Sequence, residues 1–195
     1  LSTRKELKFV NPGSKFANWF DDGTFEMTIE NTLDPSNPAV YAFLDMIFGE
    51  IAGLFPSDYI HMGGDDCYHG YWERDEKVQA FMKENGIKDS HELQSYFVKR
   101  VEKIISGKGK KMIGWDEILE GGLADGAAVM SWRGMQGGIE AARSQHEVVM
   151  TPKEFVYLDY TQGDYSVENK IYDDLSLEKA YSFDPMPNPN LFVDI

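Results

Sequence analysis

The chain has one cysteine, Cys67, among 195 residues. That excludes an internal disulfide and any metal site built on several thiolates, and it leaves the redox compartment unspecified. Basic side chains are also scarce: 19 Lys and Arg stand against 33 Asp and Glu, a formal net charge of −14. Such a surface repels phosphate backbones and anionic lipid headgroups, so neither nucleic acid nor a membrane is an expected partner. No apolar run approaches the roughly 20 residues that a membrane-spanning helix needs. A basic-then-apolar export segment is missing at the start, which is Leu1 rather than Met, and the expectation is a piece excised from a longer chain.

What is present is 42% hydrophobic and 13% aromatic residues, the composition of a folded globular chain with room for one core. Residues 1–35 are polar and turn-rich ("NPGSKFANWFDDG") and read as an irregular segment. In "SNPAVYAFLDMIFGEIAGLFP", Ser36 or Asn37 offers an N-cap and Pro38 a first helical residue. Val40, Phe43, Ile47, Ile51 and Leu54 recur at helical spacing until Pro56 stops the helix. Tyr59 to Met62 reads as a short buried strand running into Gly63-Gly64. Two helices follow, one closing near Asn85-Gly86, the next capped by Ser90 with a stripe of Leu93, Phe97, Val101, Ile104 and Ile105. "KKMIGWDEI", "AAVMSWRG", "EVVMTP" and "FVYLDY" read as further strands, with a short helix through Ile139 to Ala142.

Alternating strands and helices predict an α/β fold with a parallel sheet, open or closed into a barrel. The strand ends favour the barrel. Each carries a polar or aromatic cluster: Gly63-Gly64-Asp65-Asp66, Trp115-Asp116-Glu117, Trp132-Arg133-Gly134 and Tyr157-Leu158-Asp159. A (β/α)8 TIM barrel builds its active site from the C-terminal ends of several strands, whereas a doubly wound sheet concentrates it at one crevice.

Neighbours on a strand point apart, so Asp65 and Asp66 serve different atoms if they serve one substrate, as the acid and the charge-stabilising group of a glycosidase must. An Asp-Asp pair after glycines is equally the composition of a hydrated turn. Trp115 and Trp132 offer flat apolar faces for a sugar ring, or simply core packing. Tyr157 and Asp159, two apart on a strand, would face one way and hold one polar group. Asp116 and Glu117 are read as ordinary acids at a helix start. His61 faces the core or supports the acids, and His69 sits in the following loop within reach of solvent or substrate. These side chains have metal-ligand chemistry, but no dense cluster or i,i+4 pair, and no metal or other cofactor is expected. Cys67 reads as a semi-buried spectator.

"HMGGDD", "GWDEI", "SWRG" and "YLDY", in this order and at these spacings, resemble the glycoside hydrolases of family 20, the β-N-acetylhexosaminidases, over about residues 36–160. The resemblance implies part of a (β/α)8 catalytic barrel that removes terminal β-linked N-acetylglucosamine or N-acetylgalactosamine from glycans, by a retaining mechanism in which the 2-acetamido group of the substrate is the nucleophile. It implies that Asp65 orients the acetamide nitrogen and that Asp66 is general acid and base. Trp115 and Trp132 would wall the acetamido pocket, Tyr157 would bind the acetamido oxygen, and Asp159 would lie close by. A chitinase-type barrel is disfavoured, because its spaced Asp-x-Asp-x-Glu run is absent.

Two departures bear on activity. The family motif reads His-x-Gly-Gly-Asp-Glu, so Asp66 stands one methylene short of the usual Glu. The recognised strands are the family's fourth to seventh. The first three, the last, the sugar-gripping arginine and a late Trp-x-Glu motif are expected to lie outside these residues. Residues 1–195 are thus expected to form a partial catalytic barrel: an irregular start over 1–35, barrel units over 36–160, and a loop-rich tail over 161–195. Impaired hydrolysis and self-association through unpaired barrel edges are expected. The competing expectation is a non-hydrolytic module that binds acetamido sugars. Periplasmic or secreted placement is plausible by analogy alone.

Overall fold

Helix α1 (Pro38–Leu54) starts where local chemistry directs it. The Asn37 side chain accepts the N–H of Ala39 at 3.0 Å, while Ser36 turns back onto the carboxylate of Asp34. Phe55, forced out of the helical region by the following proline, ends it in an extended conformation. The computed structural model describes residues 17–19, 21, 25–27, 32–168 and 172–186. Within the segment expected to be irregular, Ala17–Trp19 (β1) and Phe25–Met27 (β2) pair as antiparallel strands. The rest of that expectation, up to residue 31, lies outside the described residues.

Strands β3 (Tyr59–His61), β4 (Lys111–Trp115), β5 (Ala128–Ser131) and β6 (Val148–Met150) form one four-stranded sheet in sequence order. Every pairing is parallel, with His61 beside Ile113, Trp115 beside Met130 and Ser131 beside Met150. The strand ends that carry the motifs are therefore neighbours along one rim.

Between β3 and β4 lie α2 (Gly70–Arg74), α3 (Glu76–Asn85) and α4 (Ser90–Ser106). The cap of α4 is Asp89, not Ser90: the carboxylate one residue earlier reaches the N–H of Glu92 at 2.8 Å and leaves Ser90 inside the first turn. Val98, Val101 and Ile105 of α4 pack on Ile60, Met112 and Val129 of the sheet, and Ala141 of α5 (Gln136–Arg143) closes the same core. Burying each large aliphatic side chain there contributes roughly 1.5–3 kcal/mol.

The opposite face of the sheet is open at its outer strands among the described residues, where Tyr59 is 36% exposed and Val149 41%, while Ile113 and Ala128 at its centre are buried. His61 belongs to this face, so it does not point into the core; period-two alternation gives that place to Ile60.

"FVYLDY" is not a strand. After β6, Pro152 opens the one-turn helix α6 (Lys153–Val156), and its carbonyl accepts the N–H groups of Phe155 and Val156 at 2.9 and 3.1 Å. Proline fixes a helix-compatible φ and cannot donate to a ladder, which decides a short apolar run that periodicity leaves ambiguous. The tail folds back: α7 (Leu177–Tyr181) follows a bridge between Thr161 and Asp174, and Phe183 stacks on Phe155 at 5.5 Å.

Candidate active site

The turn after β3 is shaped by close packing. Gly64 has φ of 108°, and a Cβ there would come within 2.7 Å of Ile118 Cγ2, so the turn requires glycine both for its backbone angle and for space. The Gly63 carbonyl accepts the N–H of Trp115 at 2.9 Å, which ties the turn to the end of β4. Gln94 of α4 donates to the Gly64 carbonyl at 2.8 Å and also meets His69 Nε2 at 2.6 Å. His69 is half-buried and stacks on Trp72, so it braces the turn. Asp66 itself sits at φ 47°, in the left-handed region that Asp adopts more readily than most residues.

Beyond this turn Asp65, Asp66, Trp115, Trp132, Lys153, Tyr157, Asp159, Tyr160 and Tyr172 line a single cleft of about 410 Å³. All six residues that the sequence assigned to catalysis and substrate binding are thus in one place. Trp132 and Tyr157 lie nearly parallel, 10° apart with centroids 6.2 Å apart, and Lys153 Nζ is 5.6 Å from the Trp132 ring. Tyr157 and Asp159 arrive there on the turn after α6, not by sharing one face of a strand. Burial raises the Tyr157 pKa first, and neighbouring Tyr160, Asp159, Asp65 and Glu117 add to it.

His61 supports the site through the backbone. Its Nδ1 accepts the Gly63 N–H at 3.0 Å, and its ring packs 4.7 Å from that of Trp115. That bond fixes the tautomer with the proton on Nε2. Burial lowers the His61 pKa, with Asp65 pulling it partly back, so the ring is neutral near pH 7. Burial pushes the Cys67 thiol up to about 12, in keeping with a spectator. No three His, Cys, Asp or Glu side chains gather as a metal set among the described residues.

The acids after β4 do more than open a helix. Asp116 is 1% exposed and binds Arg133 Nε at 2.7 Å, and its other oxygen accepts the Arg133 N–H at 3.2 Å. Both oxygens of Glu117 accept the Trp132 indole N–H, at 3.1 and 3.0 Å. These contacts between "GWDE" and "SWRG" were missed in the sequence. The available signal was that consecutive parallel strands bring the residues after their ends side by side, acids against an arginine and an indole.

A parallel sheet with helices on one face and an aromatic, acid-lined cleft at its C-terminal rim defines an α/β protein of the strand-end-site class. The chain matches the family described as "Glycosyl hydrolase family 20, catalytic domain" over residues 12–191, and it belongs to that family. It is 49% identical over 151 residues to a β-hexosaminidase of Porphyromonas gingivalis, a match covering 76% of this chain and 19% of that one. It is 37% identical over 161 residues to a β-hexosaminidase of Vibrio furnissii, covering 80% and 26%. The chain thus spans about a fifth to a quarter of the length of these relatives. Among solved structures it resembles an inactive mutant of the exo-β-N-acetylglucosaminidase of Vibrio harveyi, with a TM-score of 0.77, 30% identity, and coverage of 94% of this chain and 28% of that one. The same Vibrio enzyme has been solved with N-acetylglucosamine; there the TM-score is 0.74, the identity 31% and the coverage 92% and 28%.

Proposed function

We propose that this chain is the acetamido-sugar half of an exo-acting β-N-acetylhexosaminidase barrel, using substrate-assisted, retaining hydrolysis. The observation that carries the reading is the convergence of Asp65, Asp66, Trp115, Trp132, Tyr157 and Asp159 on one cleft. In the first step Asp66 gives its proton to the glycosidic oxygen. The acetamido carbonyl oxygen attacks C1 as that bond breaks, forming an oxazolinium ion. Asp65 accepts the acetamide N–H and offsets the positive charge, the Tyr157 hydroxyl donates to the acetamido oxygen, and Trp115 and Trp132 wall the methyl group. Asp66, now a carboxylate, then takes a proton from water as the water adds to C1 and the oxazolinium C1–O bond breaks, which restores the acetamido group. Two inversions give net retention.

Strands β3 to β6 correspond in this reading to the fourth to seventh strands of the family barrel, and turnover is slow because the general acid is one methylene shorter than the family's Glu. A second reading, a binding module without turnover, is favoured by Asp66 standing where the family has Glu. Titration with N-acetylglucosamine-thiazoline, a mimic of the oxazolinium ion, alongside a turnover assay separates the two. Binding with slow hydrolysis supports the enzyme, binding with no hydrolysis the module, and no binding ends both.

The exposed face around Tyr59 and Val149, with β3 and β6 as the outer strands of the sheet, supports self-association. Light scattering at micromolar concentration is expected to give a mass above that of one chain. A monomer with full turnover would defeat this expectation.

A further inference from the structure

Glu117 does not line the cleft; it stands behind Trp132, and nothing in the proposed hydrolysis uses it. We propose that Glu117 is a positioning residue that fixes the plane of the Trp132 indole, and with it the wall of the acetamido pocket. The ligand part of this inference rests on the sugar-site reading above; the geometric part does not.

An indole can only donate, through one N–H, so its orientation is set by whichever acceptor that hydrogen finds. Here both carboxylate oxygens of Glu117 lie within 3.1 Å of Nε1. A charged acceptor roughly doubles the strength of such a bond over a neutral one. Glu117 is itself held: its side chain is 12% exposed, and Arg133 Nε approaches one oxygen at 3.6 Å. That guanidinium cannot swing away, because Asp116 binds its Nε at 2.7 Å and Glu120 its Nη1 at 2.8 Å.

The far side of the ring is fixed as well. Tyr157 lies parallel to it, and Lys153 Nζ stands over it. Trp132 is thus gripped at its polar edge by the residues after β4 and on its face by those of α6. Glu117 supplies the only one of these contacts that is directional enough to select a rotation of the ring about its Cβ–Cγ bond.

The test uses the whole chain, labelled with ¹⁵N. Its four tryptophans give four indole N–H resonances, and Trp132→Phe assigns the one of interest. In the native chain that resonance should lie downfield of the other three. In E117L it should move upfield while the others stay, and in E117Q, whose amide oxygen accepts without a charge, it should move part of the way. Thiazoline affinity should fall about tenfold in E117L, the equivalent of one lost charge-assisted bond, and should largely recover in E117Q. An unmoved Trp132 resonance in either variant overturns the proposal, and E117Q decides alone if E117L does not fold. If the native chain binds no thiazoline, the sugar-site reading fails, while the spectrum still judges the positioning role.

Discussion

Asp66→Glu is expected to raise the rate of hydrolysis of a chromogenic N-acetylglucosaminide by about a hundredfold, because the added methylene carries the carboxyl roughly 1.5 Å further and a misplacement of about 1 Å costs that much. The cleft has room for the longer side chain, since Asp66 sits at its rim and is exposed. The substitution should act on stability with the opposite sign. At φ 47° the native Asp is in the left-handed region, which short polar side chains tolerate and longer ones resist, at about 1 kcal/mol. A faster but slightly less stable variant is therefore the signature of restored reach, and it cannot be confused with a general gain in folded protein. Any other limit on turnover acts on both rates alike, so the ratio of initial rates at equal folded concentration is the quantity to read. An unchanged ratio would remove Asp66 from the role of general acid. Asp66→Asn, which can neither give nor take the proton, should abolish whatever rate the native chain has.

Features fixed by local chemistry were legible in the sequence. Asn37 and Pro38 at the start of α1 and Gly86 after α3 are decided within a few residues. Asp65, Asp66, Trp115 and Trp132 were legible as a set because each lies at or just past a strand end, and parallel strands put those ends on one rim, whereas Tyr157 and Asp159 reach the cleft on the turn after α6. Two kinds of feature were not. "FVYLDY" is too short for periodicity to separate helix from strand, and Pro152 was the deciding signal. The pairs Asp116–Arg133 and Glu117–Trp132 depend on the register between β4 and β5, which no window of sequence contains. The same holds for His69, whose neighbours Trp72 and Gln94 come from two different helices.

The register-dependent pair at Asp116 should also carry the largest stability effect. Asp116→Ala is expected to cost about 3 kcal/mol, the low end for breaking a buried ion pair. The carboxylate is almost fully buried where the ends of β4 and β5 meet, and it satisfies the Arg133 guanidinium and the Arg133 N–H together. Removing it strands the backbone N–H and opens a void beside Gly137, where a Cβ would lie 2.9 Å from that of Asp116. The cost stays at the low end because Arg133 is 42% exposed and retains Glu120. Asp116→Asn, which keeps an acceptor of the same shape, should lose only about half as much. In urea the midpoint should fall with the slope unchanged, as for a loss of stability without a change in the surface exposed. The exposed pair of Lys111 and Glu147 is the control: cutting it by Lys111→Ala should leave the midpoint where it was. If the two substitutions had equal effects, Asp116 would be one more surface acid. If they differ as expected, Asp116 is the buried clasp between the strand ends that also keeps Arg133 within reach of Glu117.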